Sequence, residues 1–367
     1  MCIGSALPSS SDPDPLPATH LSLPRSLPRR APRQLLSAAV VILSSCALFA
    51  LDNNNQPADI TFDPPRSTGT VPVSINRYDS ITGSYYSPAD HGFIRDRHGK
   101  ITVINCPGAS ATTATAINDS GAITGSYWEG SLAGHGFVRQ PDGRMTRFDP
   151  VGSTETEPIS LQADGTVVGT FYDENNVSHG FIRTPDGAIE RFDPPNSEGT
   201  FVTASNSRGV ITGYYIQGPV DQHGFVRTQD GRFITFDAPG EVVSMPSAIN
   251  DAGEIIGSAY RIDLYEVHGF VRAADGRIAM INGPLAVGTF PEGMNDKGEI
   301  VGSYLNSSGT HGFLRSRKGK LITLTMPYAT FVDARAISAD GTIIGSYSRA
   351  NGNSHGFVSP RHFRGHD

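Results

Sequence analysis

His223-Gly-Phe-Val-Arg227 leads into a turn at Asp230-Gly231 and an alternating run, Arg232-Phe-Ile-Thr-Phe-Asp237. A Pro- and Gly-containing link, the small-residue run Ser247-Ala-Ile-Asn250 and a second turn at Asp251 to Gly253 follow. The His-Gly-Phe triplet occurs at His91, His135, His179, His223, His268, His311 and His355, at spacings of 44, 44, 44, 45, 43 and 44 residues. A period that regular marks one supersecondary unit copied in tandem, so the fold is read from the repeat.

Each copy has four short pieces. They are His-Gly-Phe-(Ile/Val)-Arg, the run ending in Phe-Asp-Pro, a small-residue run such as Thr113-Ala-Thr-Ala-Ile-Asn118, and a run such as Ile123-Thr-Gly-Ser-Tyr127. All are rich in Val, Ile, Thr, Phe and Tyr and bounded by Gly, Asp, Asn or Pro, which are strand and hairpin signals. Asp-Gly pairs such as Asp142-Gly143, Asp186-Gly187 and Asp275-Gly276 suit tight hairpins. No window sustains a 3.6-residue apolar period, so almost no helix is expected.

Four strands per copy predict an all-β, seven-bladed β-propeller over residues 59–359. The longer link after Phe-Asp-Pro fits the path from one blade's outer edge to the next blade's inner strand. The expected order is therefore Ile-Asn innermost, Ile-Thr-Gly-Ser-Tyr second, His-Gly-Phe third and Phe-Asp outermost. The alternative phasing, with His-Gly-Phe innermost, stays open. Ile60-Thr-Phe-Asp63 is an outermost strand without a blade, and the C-terminal strands at about 332–358 lack one. Pairing them closes the ring and removes exposed sheet edges.

Residues 1–58 lack strand pattern. Arg25, Arg29, Arg30 and Arg33 precede the apolar run 35–51, the layout of a secretory signal with cleavage expected after Ala47 or Ala50. A retained membrane anchor is the alternative. Leu43-Ser-Ser-Cys46 resembles the lipobox of bacterial lipoproteins, which makes Cys46 a candidate lipidation site. The expected location is periplasmic or extracellular. Residues 360–367 form a C-terminal tail.

The chain carries 29 basic and 36 acidic residues. Without residues 1–50 the net charge is about −9, with no basic cluster, so nucleic acid is not an expected partner. The three cysteines are Cys2, Cys46 and Cys106, so no disulfide is expected. A monomer is expected. Cys106, in a slot held elsewhere by Pro or Ala, reads as a passive thiol.

The seven histidines invite a metal reading. In a seven-fold ring, however, third strands sit on the order of 15 Å from the axis, whereas zinc needs nitrogens at about 2.0–2.1 Å. They read as scaffold, hydrogen-bonded between blades, and neither metal nor cofactor is expected. Gly83, Gly125, Gly169, Gly213, Gly257, Gly302 and Gly345 lie mid-strand, where glycine marks a bulge or a close approach, here by the Phe of His-Gly-Phe. The aspartate turns lack the spacing of a calcium loop. No nucleotide-binding, zinc-protease or nucleophile-elbow motif occurs.

Differences between copies cluster in two links, before His-Gly-Phe and after Phe-Asp-Pro, which this phasing puts on one face. A rigid scaffold with variable loops on one face is where binding lives. The candidate ligand contacts there are Trp128, Tyr172, Asp173, Tyr215, Tyr265 and Glu157. Aromatic rings beside polar groups suit a glycan or a protein ligand. The alternative is a propeller enzyme, a polysaccharide lyase or glycoside hydrolase. Its site would lie at the channel mouth, for which Glu157, Glu292, Asp333 and Arg335 are the inner-strand candidates.

The repeat, as in His179-Gly-Phe-Ile-Arg183, Thr203-Ala-Ser-Asn206 and Gly209-Val-Ile-Thr-Gly213, resembles the bacterial extracellular HAF-type repeat family over residues 60–358. The chain has Gly where that family has Ala in its triplet, and Phe-Asp-Pro where Leu-Gly is frequent. The resemblance implies an exported, propeller-like repeat protein and carries no catalytic residues with it.

Overall fold

The computed structural model describes residues 59–130, 133–261 and 266–360. They form 28 strands, and no helix occurs among the described residues. β1 (Ile60–Phe62) comes first. A four-stranded antiparallel meander follows: β2 (Gly69–Ile75), β3 (Ile81–Tyr86), β4 (Asp90–Arg95) and β5 (Ile101–Ile104). The next is β6 (Ala111–Ile117), β7 (Ile123–Trp128), β8 (Gly134–Arg139) and β9 (Met145–Phe148). β10 (Ser153–Leu161), β11 (Val167–Asp173), β12 (Ser178–Arg183) and β13 (Ile189–Phe192) repeat it. So do β14 (Gly199–Ser205), β15 (Ile211–Gln217), β16 (Asp221–Arg227) and β17 (Phe233–Phe236).

Then come β18 (Val243–Ile249), β19 (Ile255–Tyr260), β20 (Val267–Arg272) and β21 (Ile278–Ile281). β22 (Gly288–Met294), β23 (Ile300–Asn306), β24 (Gly309–Arg315) and β25 (Leu321–Leu324) follow. Last are β26 (Ala329–Ile337), β27 (Ile343–Arg349) and β28 (Ser354–Ser359). Their fourth partner is β1, with Ile60 opposite Val358 and Phe62 opposite Gly356.

Parallel bridges of one residue link many of the meanders, so the strands group into sheets of 20 and 8. First strands touch in succession, β2 with β6 and so on to β22 with β26, and β26 touches β2. Their ends are tied by asparagine. Asn76 Nδ2 donates to the Asn118 carbonyl at 3.0 Å, and Asn118 Nδ2 to that of Gln162 at 2.9 Å. The same side chains cap their own turns, since Asn76 Oδ1 accepts from the N–H of Tyr78 and of Ser80.

The core lies between meanders. The phenylalanine of every His-Gly-Phe, Phe93 through Phe357, is fully buried. Removing such a ring from water contributes about 1.5–3 kcal/mol. Each packs across to the meander before it: Phe93 meets Phe62 edge-on at 5.8 Å, and Phe181 meets Phe148 at 5.9 Å. The arginine two residues on lays its guanidinium over the same ring, Arg95 over Phe62 and Arg183 over Phe148, both at 5.0 Å. Such cation–π contacts contribute about 0.5–2 kcal/mol each.

Two glycines per copy make this packing possible. A Cβ at Gly213 would lie 2.0 Å from the Phe201 carbonyl oxygen and 2.9 Å from Phe225 Cε1. The first is the carbonyl just ahead of the bulge at Val202 to Ala204 of β14, and the second is the His-Gly-Phe ring. At the glycine of the triplet the neighbour is the phenylalanine of Phe-Asp-Pro: a Cβ at Gly180 would meet Phe192 Cε2 at 2.4 Å.

Candidate functional site

The strand pairing puts both variable links at one edge of every meander, where second strands end and first and third strands begin. On the second strand, side chains alternate between faces. Tyr85, Tyr127, Tyr215, Tyr304 and Tyr347 are buried and lie against the His-Gly-Phe histidines with ring centroids 5.1–5.3 Å apart. The next residues, Tyr86, Trp128, Tyr172, Ile216, Tyr260 and Leu305, face the other way and are partly or well exposed. Each pairs with a residue at or near the start of its first strand, for example Tyr86 with Gly69, Trp128 with Ala111 and Tyr172 with Glu155. One register position, the rim, therefore carries aromatic or apolar side chains in six copies and Ser348 in the seventh.

This alternation sorts the expected ligand contacts. Trp128 and Tyr172 stand on the rim. Tyr215 does not: it is buried on His223, and its copy's rim residue is Ile216, so the sequence assignment was one residue off. Asp173 belongs to a turn, its Oδ1 accepting from the N–H groups of Asn175 and Val177 at 2.9 Å. The bond from Val177, then that from Asn175, holds its carboxyl below the usual range. Tyr265 lies outside the described residues, as do Cys46 and the apolar run 35–51.

Glu157 is partly exposed on β10, opposite Thr170. The other inner-strand candidates sit on β22 and β26. Arg335 Nη2 pairs with Asp333 Oδ2 at 2.9 Å, and the Asp333 side chain is only 6% exposed. Burial opposes the Arg335 charge, but Asp333 and Glu292 outweigh it and raise its pKa. Strands β22 and β26 thus bring Glu292, Asp333 and Arg335 together, while Glu157 is on β10, whose first-strand neighbours are β6 and β14.

The histidines make their bonds within a meander rather than between blades as expected. Nδ1 meets the residue just past the fourth strand: His135 with Asp149 at 2.7 Å, His179 with Asp193 at 3.1 Å, His223 with Asp237 at 2.8 Å. Asn105 and Asn282 play the same part for His91 and His268. The aspartate crosses to the next copy, because Thr156 donates to Asp149 at 2.6 Å and Thr200 to Asp193 at 2.7 Å. His311 differs: Thr325 stands where the partner would be, and its Nε2 is bonded to Ser308 Oγ at 2.8 Å. Cys106 is buried, and burial pushes its thiol up to about 11.

At one place on the rim three departures from the repeat coincide. Trp128 is the only tryptophan. Its strand partner Gly134 stands where the other copies carry Asp90, Ser178, Gln222, Val267, Thr310 and Ser354. Gly134 is bridged in turn to Glu155, whose equivalents are Gly69, Ala111, Gly199, Val243, Gly288 and Phe331. A Cβ on Gly134 would meet Trp128 Nε1 at 3.1 Å and Glu155 Oε1 at 3.2 Å. Beside them Arg147 pairs with Glu129 at 2.6 Å and lies 4.7 Å over Tyr127. Reading the loops for aromatic residues found Trp128 and missed Gly134 and Glu155. Comparing the copies position by position would have found both.

No protein-family model matches the chain, and no curated protein matches it. Solved structures do. Virginiamycin B lyase from Staphylococcus aureus matches with a TM-score of 0.58 at 13% identity, over 83% of this chain and 99% of the lyase. The β-propeller domain of the Trilobed protease from Pyrococcus furiosus matches with a TM-score of 0.58 at 9% identity, over 79% of this chain and 95% of that one. At such identities the likeness shows the fold alone: the described chain is an all-β propeller.

Proposed function

We propose that this chain is an exported, seven-bladed propeller, a neighbouring branch of the HAF-type repeat family, that binds a glycan through its variable face. The observation that carries the binding reading is the rim, where Tyr86, Trp128, Tyr172 and Tyr260 recur at one register position. Aromatic rings spaced by a repeat present apolar platforms to successive units of a polymer, with polar link residues between them. Seven blades are supported by the pairing of β1 with β28 and by the succession of first-strand contacts that returns from β26 to β2. Export is supported by the basic and apolar segment of residues 25–51.

Binding is preferred to catalysis for a physical reason. Glycoside hydrolysis needs two carboxylates about 5–10 Å apart, one to protonate the leaving group and one to act on the sugar. Of the inner-strand acids, Asp333 is buried in its pair with Arg335. The test is binding of the purified chain to an array of bacterial and plant polysaccharides beside a Trp128→Ala variant. Binding that the substitution weakens supports a glycan site on the rim. Silence across the array overturns that reading and directs attention to protein ligands.

A further inference from the structure

The link that leaves each fourth strand makes the same tight turn in every copy. A backbone N–H closes it onto the carbonyl three residues back, as from Ser67 to Pro64, Ala286 to Gly283 and Ala329 to Met326. The third residue of the turn has positive φ, the backbone of a type II turn, which glycine or asparagine adopts most easily. Four copies comply, with Gly108, Gly152, Asn196 and Gly240. The other three place Leu285, Tyr328 and Arg66 there, at φ of 52°, 62° and 67°. In this conformation Cβ crowds the following carbonyl, so each of the three is strained.

Packing does not offset that strain. Leu285 is 93% exposed and Tyr328 75%, and Arg66 is exposed as well. A Cβ at the equivalent Gly108, Gly152 or Gly240 would meet nothing within 4 Å, so this position points its side chain into open space. Strain kept without a return inside the molecule marks a contact made outside it. The three links are also successive. They lead into β22, β26 and β2, first strands that touch in that order.

Shape and charge say what covers them. The three side chains stand on separate turn tips, a convex set, and they are aliphatic, phenolic and cationic. A lipid surface takes such tips: leucine reaches the acyl boundary, tyrosine keeps its ring at headgroup level, and arginine meets phosphate. The exposed carboxylates Glu129, Glu174, Glu198 and Glu266, which lipid phosphate repels, lie in links of other copies. Within these three links only Asp63 is acidic, and it is bonded to His355 and Thr70. Asp90 is the exposed acid of the copy that Arg66 leads into. We infer that Leu285, Tyr328 and Arg66 form a docking site for the surface of an anionic lipid bilayer. None of Trp128, Tyr172 and Tyr260 belongs to it, so the inference stands apart from the glycan reading.

The test puts a reporter in the site. Tyr328→Trp is made in a Trp128→Phe background, so tryptophan emission comes from the turn tip alone. The purified chain is mixed with phosphatidylcholine vesicles, and with vesicles in which a third of the lipid is phosphatidylglycerol. A saturable blue shift is expected, larger on the phosphatidylglycerol vesicles. Leu285→Gly in this background is expected to lower the ratio of docked to free tips about tenfold, the loss of one inserted leucine. Arg66→Gly is expected to remove the preference for phosphatidylglycerol. Glycine already serves this turn in three other copies, so both variants should keep the parent's melting temperature, which separates lost docking from lost folding. An emission maximum that neither vesicle moves overturns the proposal, as does a shift that both substitutions leave intact. A shift that grows with protein concentration in the absence of lipid assigns these tips to a second copy of the chain and overturns the lipid reading.

Discussion

His355 Nδ1 and Asp63 Oδ2 form a 2.7 Å hydrogen bond across 292 residues of sequence. Asp63 also accepts from Thr70 at 2.6 Å, and Thr61 meets the Tyr347 hydroxyl at 3.0 Å. The described chain is thus tied start to end by the same His–Asp–Thr relay that ties ordinary neighbours. Without a disulfide at this join, side chains and one three-residue strand hold it.

The join should therefore be sensitive to small changes. Asp63→Ala removes one acceptor from two donors and is expected to cost about 1–2 kcal/mol. Phe62→Ala is expected to cost about 3–5 kcal/mol, because Phe62 carries both Phe93 and Arg95. Urea unfolding of the two variants beside wild type checks both values. A Phe62→Ala loss no larger than that of Asp63→Ala would contradict the structure.

The triplet glycine and the Phe-Asp-Pro phenylalanine act as one packing unit. Gly180→Ala forces a methyl against Phe192 and is expected to destabilise by about 1–3 kcal/mol. Phe192→Ile should absorb part of that cost, since Gly92 already faces Ile104 in another copy. A double-mutant cycle is expected to show favourable coupling of about 0.5 kcal/mol or more.

Acidification should lower stability in two stages. Burial lowers the pKa of His311, so the unfolded chain takes up that proton more readily. The stability gained from neutral His311 is present above about pH 6.5 and is lost as pH falls through the folded value. The carboxyls of Asp186, Asp230 and Asp275 are held below the usual range, by Thr184 and Thr228 for the first two and by the Arg277 N–H for the third. Their contribution is complete above the ordinary carboxylate value and is lost as pH falls through the lowered ones. Melting temperature followed from pH 8 to pH 2.5 at constant ionic strength should fall below about pH 6.5 and again below about pH 4. A His311→Asn variant should lack the first step.

The Cys106 thiol should stay inert in the folded protein. Pushed up to about 11 by burial, it carries almost no thiolate at pH 8. Iodoacetamide is expected to leave it unmodified by mass spectrometry until urea unfolds the chain.

Strand type, strand order and the partner of the first strand were legible in sequence because each rests on local chemistry repeated seven times. Alternation, turn residues and the unequal links that join them say where strands begin and which links are long. Tyr215 shows where such reading slips. Choosing between Tyr215 and Ile216 needs the face each side chain takes, and a one-residue shift reverses every face. The histidines show a second limit: the spacing to Asp149 or Asp193 was visible, but whether that bond stays within a meander depends on which strands pair.

The amino-acid sequence by itself determined that this protein is a tandem all-β repeat whose variation collects at one edge. Tertiary structure alone decided that Trp128, Gly134 and Glu155 meet. Trp128 and Gly134 are cross-strand partners of one hairpin, but Glu155 arrives from the next meander through a single parallel bridge. Contacts between meanders depend on how neighbouring sheets pack, and no local periodicity encodes that.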